Sequence, residues 1–396
     1  MRPRQQRLAR AFALLALLLA GCAAPPPRLT APVQSVPPGT PSPPTLAGLR
    51  LQPASFDQLP GWGGDDLAGA WSAWRRDCSA RASALAGACA ASTAVPADDP
   101  AAQRTFFEHW FQPWQASSPD GSDTGLVTGY YEPVLHGALQ RGWPYVVPIY
   151  GLPADLVDRA DPGDGVTRGR LVRDTAGTSS VAPFWSRAQI DADPQAQAAL
   201  GRNVVVWLDD PVDALFLQVQ GSGLVALPDG RTLRLSYAGD NGWPYRSVGR
   251  WLLDHGELRG TVTMQIIRAW AQMHPDRVRD MLDANPRVVF FSATPLVDAA
   301  RGPTGAMGVP LTPLRSVAVD RRLLPLGTPV WLDTRADARP LQRLVFAQDV
   351  GGAIVGALRA DLFFGTGTQA GDSAGRMQAP GRFWVLLPRT PAPPTS

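Results

Sequence analysis

Two aspartates stand twelve positions apart (361 − 349 = 12) in the run Asp349–Gly367, DVGGAIVGALRADLFFGTG. Gly351, Gly352 and Gly356 lie between them, and glycine lets a backbone turn sharply or approach a ligand where a Cβ would collide. Asp361 is followed by Leu362, Phe363 and Phe364. A carboxyl desolvated by such neighbours has a raised pKa and holds a proton near neutral pH, as a general acid must. Asp349 then either hydrogen-bonds within the site or, as a like charge, raises the pKa of Asp361. The residues alone leave open a second possibility, that both aspartates cap loops at a turn-rich barrel corner.

Other chemistries have few residues to work with. The four histidines, His109, His136, His255 and His274, have no ligand spacing to one another or to a cysteine, so no metal or other cofactor is expected. The GSG at Gly221–Gly223 lacks the nucleophile-elbow pattern, and no phosphate-cradling Walker motif occurs. Of three glutamates, Glu108 falls in an aromatic helical stripe, Glu257 in a polar turn, and Glu132 before a proline. Glu132 alone has a functional reading, as a groove-wall hydrogen-bonding group or second acid, beside the plainer reading of a salt-bridge residue. Asp372 is a third candidate that reads more readily as a loop residue in a small-residue segment, and Asp320 as a turn cap or a support of the barrel.

The elements that must position these groups are mostly short strands. Leu67–Cys78 and Thr105–Trp114 carry apolar faces at helical spacing and read as core-facing stripes. Beyond Gly125, apolar runs at 145–150, 204–208, 215–219 and 233–237 are cut by Gly, Pro and Asp and read as strands. Helices are expected at 247–253, at 264–273 behind a Thr263 cap, and at 276–282; strands resume at 288–291, 329–332, 343–347 and 383–387. The fold class is mainly β with some α, built as barrels and not as a parallel α/β sheet.

Several segments occur together in order: GYYEPVLHG at Gly129–Gly137, LQVQGSG at Leu217–Gly223, YAGDNGWPYRSVGR at Tyr237–Arg250, GPTGAMGVPLTP at Gly302–Pro313, RSVAVDRRLLPLGTPVWL at Arg315–Leu332, and the two-aspartate run. Taken in register from Gly129 to Pro388, the chain resembles the membrane-bound lytic murein transglycosylase A (MltA) family with its C-terminal three-aspartate (3D) domain. The resemblance implies a double-psi β-barrel, residues 49–129 and 245–390, with a smaller β-barrel inserted at 130–244 and a groove between them. It places the catalytic acid/base on Asp361, with Asp349 nearby, acting on the β-1,4 bond between N-acetylmuramic acid and N-acetylglucosamine without water. Tyr130, Glu132, Gln220, Ser222, Asn241 and Tyr245 are candidate sugar-binding residues; each is equally able to satisfy buried backbone. A two-aspartate glycoside hydrolase and a non-catalytic peptidoglycan-binding lipoprotein are the competing functions.

The ends set the cellular context. Arg2, Arg4, Arg7 and Arg10 precede an apolar stretch too short to span a bilayer and a Leu19-Ala20-Gly21-Cys22 box, so residues 1–21 read as a signal peptide and Cys22 as a lipidated N-terminus. Residues 22–48 are proline-rich and read as an extended tether. No aspartate follows Cys22, which in the lipoproteins the chain resembles directs the anchor to the periplasmic face of the outer membrane. Cys78 and Cys89 then form an even pair in an oxidising compartment, where a disulfide or two buried thiols are the alternatives. The net charge of +3 is carried without any lysine. No arginine cluster interleaved with aromatics marks a nucleic-acid surface, and the expected partners are peptidoglycan glycan strands, the outer membrane and cell-wall synthesis proteins.

Overall fold

The structure, a computed structural model, describes residues 46–80, 85–160, 163–173, 175 and 177–389. The signal segment, Cys22 and the tether up to residue 45 lie outside the described residues. Strand β1 (Arg50–Pro53) is followed by helices α1 (Ala68–Ala80), α2 (Ala86–Ala91) and α3 (Pro100–Trp110), then by β2 (Phe111–Ser117) and β3 (Gly125–Glu132). Next come β4 (Val134–Ala138), β5 (Val147–Tyr150), β6 (Leu156–Asp158), β7 (Arg168–Arg173) and β8 (Ser179–Pro183), followed by α4 (Arg187–Ala192), α5 (Pro194–Gly201) and β9 (Val204–Leu208). After these run α6 (Pro211–Gln220), β10 (Ser222–Ala226), β11 (Thr232–Asp240), α7 (Val248–Asp254), α8 (Met264–Met273), α9 (Val278–Asp283) and β12 (Val289–Pro295). The last section holds β13 (Ser316–Val319), β14 (Pro329–Ala336), β15 (Arg339–Asp349), β16 (Arg359–Thr366), α10 (Thr368–Arg376) and β17 (Gln378–Pro388).

The larger sheet has the order β1-β2-β17-β14-β15-β13-β16-β3, and β17 also pairs with β3, which closes six strands into a barrel. Its interior follows from alternation along each strand. Val127, Val317, Val319, Val345, Ala347, Ala360, Leu362 and Val385 point inward and form one buried cluster. Each large aliphatic residue so buried stabilises the fold by roughly 1.5–3 kcal/mol. Residues between them, Thr128, Ala318 and Asp361 among them, must therefore face outward.

The helices α1 to α3 cover part of the barrel wall. Trp71, Trp74, Phe106, Phe107 and Phe111 pack with Trp331 and Phe346 in a second buried cluster, as the aromatic spacing predicts for core-facing stripes. Arg315 anchors this layer through two hydrogen bonds to the carboxylate of Asp65, at 2.6 and 2.9 Å, both residues being almost fully buried. Cys78 and Cys89 are bonded, with their Cα atoms 5.4 Å apart, tying α1 to α2. Such a cross-link stabilises chiefly by restricting the unfolded chain.

The inserted section carries its own six-stranded sheet, β12-β11-β10-β4-β9-β5, and a three-stranded sheet, β6-β7-β8, which elaborates the Gly- and Asp-rich stretch near 160–180. Strand β12 pairs with β11 over seven positions, so the insertion runs on to Pro295, well past the expected boundary at 244. A second correction concerns 215–219, expected as a strand and observed inside α6. Its ends explain this. The Asp210 carboxylate accepts from the N–H groups of Val212 and Asp213, Pro211 sits in the first turn, and Gly221 takes the left-handed conformation (φ 80°) that terminates a helix. Likewise the small-residue segment around Asp372 is a helix, α10, and not a loop.

Candidate active site

Asp361 owes its position to strand register. It is the directly paired neighbour of Ala318 on β13 and of Thr128 on β3. Ala318 in turn pairs with Asp349 on β15, next to an irregularity in the β13–β15 ladder. Directly paired residues share a face of the sheet, so Asp349, Ala318, Asp361 and Thr128 form a row across four strands on the outer wall of the barrel. The two aspartates are thus two strand spacings apart, roughly 10 Å between Cα atoms. In this row Ala318, with only a methyl side chain, stands between them.

Asp361 is half-buried at this wall. The Thr128 hydroxyl donates to its Oδ1 at 2.5 Å, and its Oδ2 has no hydrogen-bond partner among the described residues. Burial pushes its pKa from an ordinary 3.8 up to about 6; the Thr128 hydroxyl and the Arg359 guanidinium oppose the rise, and the charge of Asp349 adds to it. This is the protonation behaviour a general acid needs near neutral pH.

Asp349 is held differently. Its Oδ2 accepts from the Tyr130 hydroxyl at 2.8 Å, and its Oδ1 accepts from the backbone N–H groups of Ala306 and Val350 at 3.0 and 2.9 Å. Burial raises its pKa while those three donors pull it back. Tyr130 lies against Phe363, ring centroids 5.3 Å apart, and its own phenol is pushed well above the ordinary range, by burial first and by Asp349 next. Tyr130, Ala318 and Phe363 share a small buried cluster with Leu311 and Ile354 that floors the site.

Beside Thr128 a groove opens between the barrel and the insertion, lined by Gly129 and Tyr131 of β3, Gln220 at the end of α6, the segment 261–264 leading into α8, and residues 374–378. Gly129 is required by packing: a Cβ there would lie 2.7 Å from the Phe364 ring and 2.9 Å from the Ala374 backbone, forcing α10 off the wall. Gly371 on α10 is matched to the Tyr131 ring in the same way, at 2.6 Å.

Of the residues singled out from sequence, Asp361, Asp349 and Tyr130 come together, and Gln220 joins the groove wall, its Oε1 accepting from the Tyr131 N–H at 2.9 Å. Glu132 does not line the groove. It is fully buried, pairs with Arg234 through bonds of 2.9 and 3.2 Å, and accepts from the Thr366 hydroxyl at 2.8 Å, which fastens β3 and β16 of the barrel to β11 of the insertion. Burial raises its pKa, and Thr366 and Arg234 oppose the rise. Asn241 is also fully buried: its amide donates to the carbonyls of Trp185 and Pro286 and its oxygen accepts from Val288 and Trp243, so it has no capacity left for a sugar. Ser222 is buried on β10, and the half-buried Tyr245 lies between β11 and α7; neither is part of the groove lining beside Thr128. Asp320 caps the turn into Arg322 and also accepts from the Gly356 N–H, and its pKa is held low, first by the Arg322 side chain. Asp372 is exposed on α10, accepting from Gln265. Thr128 and Arg359 were not legible from sequence, since Thr128 lies 233 positions from the residue it touches.

Comparison with known proteins decides the family. Residues 126–292 match the MltA specific insert domain, and residues 315–387 match the 3D domain. The membrane-bound lytic murein transglycosylase A of Escherichia coli (strain K12) is 34% identical over 283 residues, covering 69% of this chain and 68% of the relative. The chain belongs to the MltA family of lytic murein transglycosylases. Solved structures of lytic transglycosylases align along most of it. The lytic transglycosylase LtgG of Burkholderia pseudomallei shares 48% identity, with a TM-score of 0.58 over 87% of this chain and 97% of that one. Escherichia coli MltA with bound chitohexaose shares 28%, with a TM-score of 0.65 over 86% and 95%. In this MltA-family chain, the first match ends at 292, within β12, in keeping with the strand pairing that extends the insertion beyond 244.

Proposed function

We propose that the chain cleaves the β-1,4 bond between N-acetylmuramic acid and N-acetylglucosamine in peptidoglycan, with Asp361 as the sole acid/base and no water consumed. Protonated Asp361 gives its proton to the glycosidic oxygen as the C1–O4 bond breaks. The muramoyl 6-hydroxyl forms the new bond to C1 and returns its proton to the Asp361 carboxylate. The products are a free 4-hydroxyl and a 1,6-anhydromuramoyl end, and the enzyme is left protonated for the next turnover. The observation that carries this reading is the outward row that reaches the groove at Thr128, in which Asp361 is a partly desolvated carboxyl with pKa about 6 and an Oδ2 unpartnered among the described residues.

Ordinary glycoside hydrolysis uses two carboxylates, the second to attack the sugar or to activate water. Asp349 is poorly suited to that task because both its oxygens already accept hydrogen bonds. Its three donors favour the ionised form, which would stabilise positive charge developing at the sugar ring. The expected result is that Asp361→Ala protein still sediments with purified sacculi but releases no soluble fragments, whereas release at the wild-type rate would defeat the assignment.

The relatives named membrane-bound support attachment to a membrane, and among the described residues no helix is long and apolar enough to cross one. The reading extends to anchoring at the outer membrane through a lipid on Cys22, facing the periplasm, where cell-wall synthesis proteins are natural partners. Radiolabelled palmitate should be incorporated by wild-type cells and not by Cys22→Ala cells.

A further inference from the structure

Arg359 lies two residues before Asp361 on the same face of β16, and Thr128 pairs directly with Asp361 across the parallel β16–β3 ladder. The Arg359 guanidinium is fixed in place, donating through Nη1 to the carbonyl of Ala360 at 2.6 Å and through Nη2 to the Thr128 hydroxyl oxygen at 2.9 Å. The same hydroxyl donates to Asp361 Oδ1 at 2.5 Å. Guanidinium has no acceptor, so it can only occupy a lone pair of the threonine oxygen, which leaves the single hydroxyl hydrogen for the aspartate.

We propose that Arg359 and Thr128 are positioning residues that act as a relay, fixing the catalytic proton of Asp361 on Oδ2, the oxygen offered to substrate. This rests on the reading of Asp361 as the acid/base. With the proton on Oδ2, all three groups keep their hydrogen bonds. With the proton on Oδ1, the threonine hydrogen loses its acceptor, and the reactive hydrogen points into the sheet instead of toward the glycosidic oxygen. The relay also favours the carboxylate that must form once the proton has been given away, because a hydroxyl donor and a nearby cation both stabilise the ionised form. Other titratable groups facing this carboxyl are Asp349 from β15 and Tyr130 from β3, already bonded to each other, while Asp372 and Arg376 on the packed α10 bond to Gln265 and Asp337.

The test is the pH dependence of fragment release from sacculi by Thr128→Val, Thr128→Ser and Arg359→Gln proteins, each checked for folding by thermal melting. Since the protonated form is the acid, the high-pH limb of the profile reports deprotonation of Asp361. Losing a donor to the ionised form moves that limb upward by about one pH unit in Thr128→Val. Its kcat is expected to fall about tenfold, less than loss of the acid itself, with KM nearly unchanged. Thr128→Ser keeps the wild-type limb, and Arg359→Gln moves it in the same direction by a smaller amount. The double variant Thr128→Val/Arg359→Gln shifts it by less than the sum, because part of the arginine's effect passes through the threonine. Carbon-13 NMR titration of labelled aspartate, with the signal assigned by its absence in Asp361→Asn, follows the same shift without any substrate. If Asp361→Asn is inactive while the Thr128→Val limb and carboxyl titration coincide with wild type, the relay is wrong and the acid/base reading survives. Activity retained by Asp361→Asn overturns both.

Discussion

Asp361→Asn should abolish turnover and make the protein more stable, by an amount that depends on pH. Asparagine keeps the shape of the side chain and can still accept the Thr128 hydrogen bond, so the substitution removes mainly the cost of a desolvated charge. That cost follows from the rise in pKa from 3.8 to about 6. Below 3.8 the carboxyl is neutral in folded and unfolded chains alike, and no penalty exists. Between 3.8 and about 6 the folded chain binds a proton that the unfolded chain releases, so wild-type stability falls as pH rises; above about 6 the loss is complete. Integrated with ~1.4 kcal/mol per pH unit, the penalty is about 1 kcal/mol at pH 4.5 and about 3 kcal/mol at pH 7.5. For about 340 described residues the entropy of unfolding is roughly 0.7 kcal/mol per kelvin. The variant should therefore melt about 1.5 °C above wild type at pH 4.5 and about 4 °C above it at pH 7.5. Scanning calorimetry at the two pH values, alongside sacculus digestion, reads both effects. A gain in melting temperature that is the same at both pH values, or no gain at pH 7.5, would refute the account of how burial tunes this carboxyl.

Other substitutions separate scaffold from chemistry. Glu132→Ala leaves the Arg234 cation without its carboxylate at the junction of barrel and insertion and should cost about 3–5 kcal/mol in urea unfolding; Glu132→Ala/Arg234→Met should recover much of it. Reducing or replacing the Cys78–Cys89 pair, which closes a loop with a sequence separation of 11, should lower stability by about 3 kcal/mol while leaving kcat unchanged. Tyr130→Phe removes the donor to Asp349 Oδ2 and should lower kcat roughly tenfold with little change in KM, as expected of a group that supports charge in the transition state; a rise in KM alone would instead make Tyr130 a sugar-binding residue.

How much of this was legible in the sequence depends on whether local rules decided the outcome. The apolar stripes at Leu67–Cys78 and Thr105–Trp114 announce the aromatic layer over the barrel, and the aromatics after Asp361 announce a desolvated carboxyl. Thr263 caps α8 as its position predicts. Register was not legible, and the site is made by register: Ala318, Asp349 and Thr128 meet Asp361 only once four strands are aligned. Polarity also says nothing about how a residue is satisfied. Glu132 and Asn241 were open equally to a sugar-binding and to a structural reading, and only the fold brings in the partners that decide for the structural one, such as Arg234, 102 positions from Glu132, and Val288, 47 positions from Asn241. The run 215–219 misled because its apolar content fits a strand or a buried helix equally, and the decision lay in Asp210, Pro211 and Gly221 on either side.

The central claim, that the substrate's own hydroxyl replaces water, is tested most directly by digesting sacculi in water enriched with heavy oxygen and weighing the released fragments. The account predicts muramoyl ends lighter by one water than hydrolysis products, carrying none of the label. Fragments of full hydrolytic mass with heavy oxygen at C1 would contradict it.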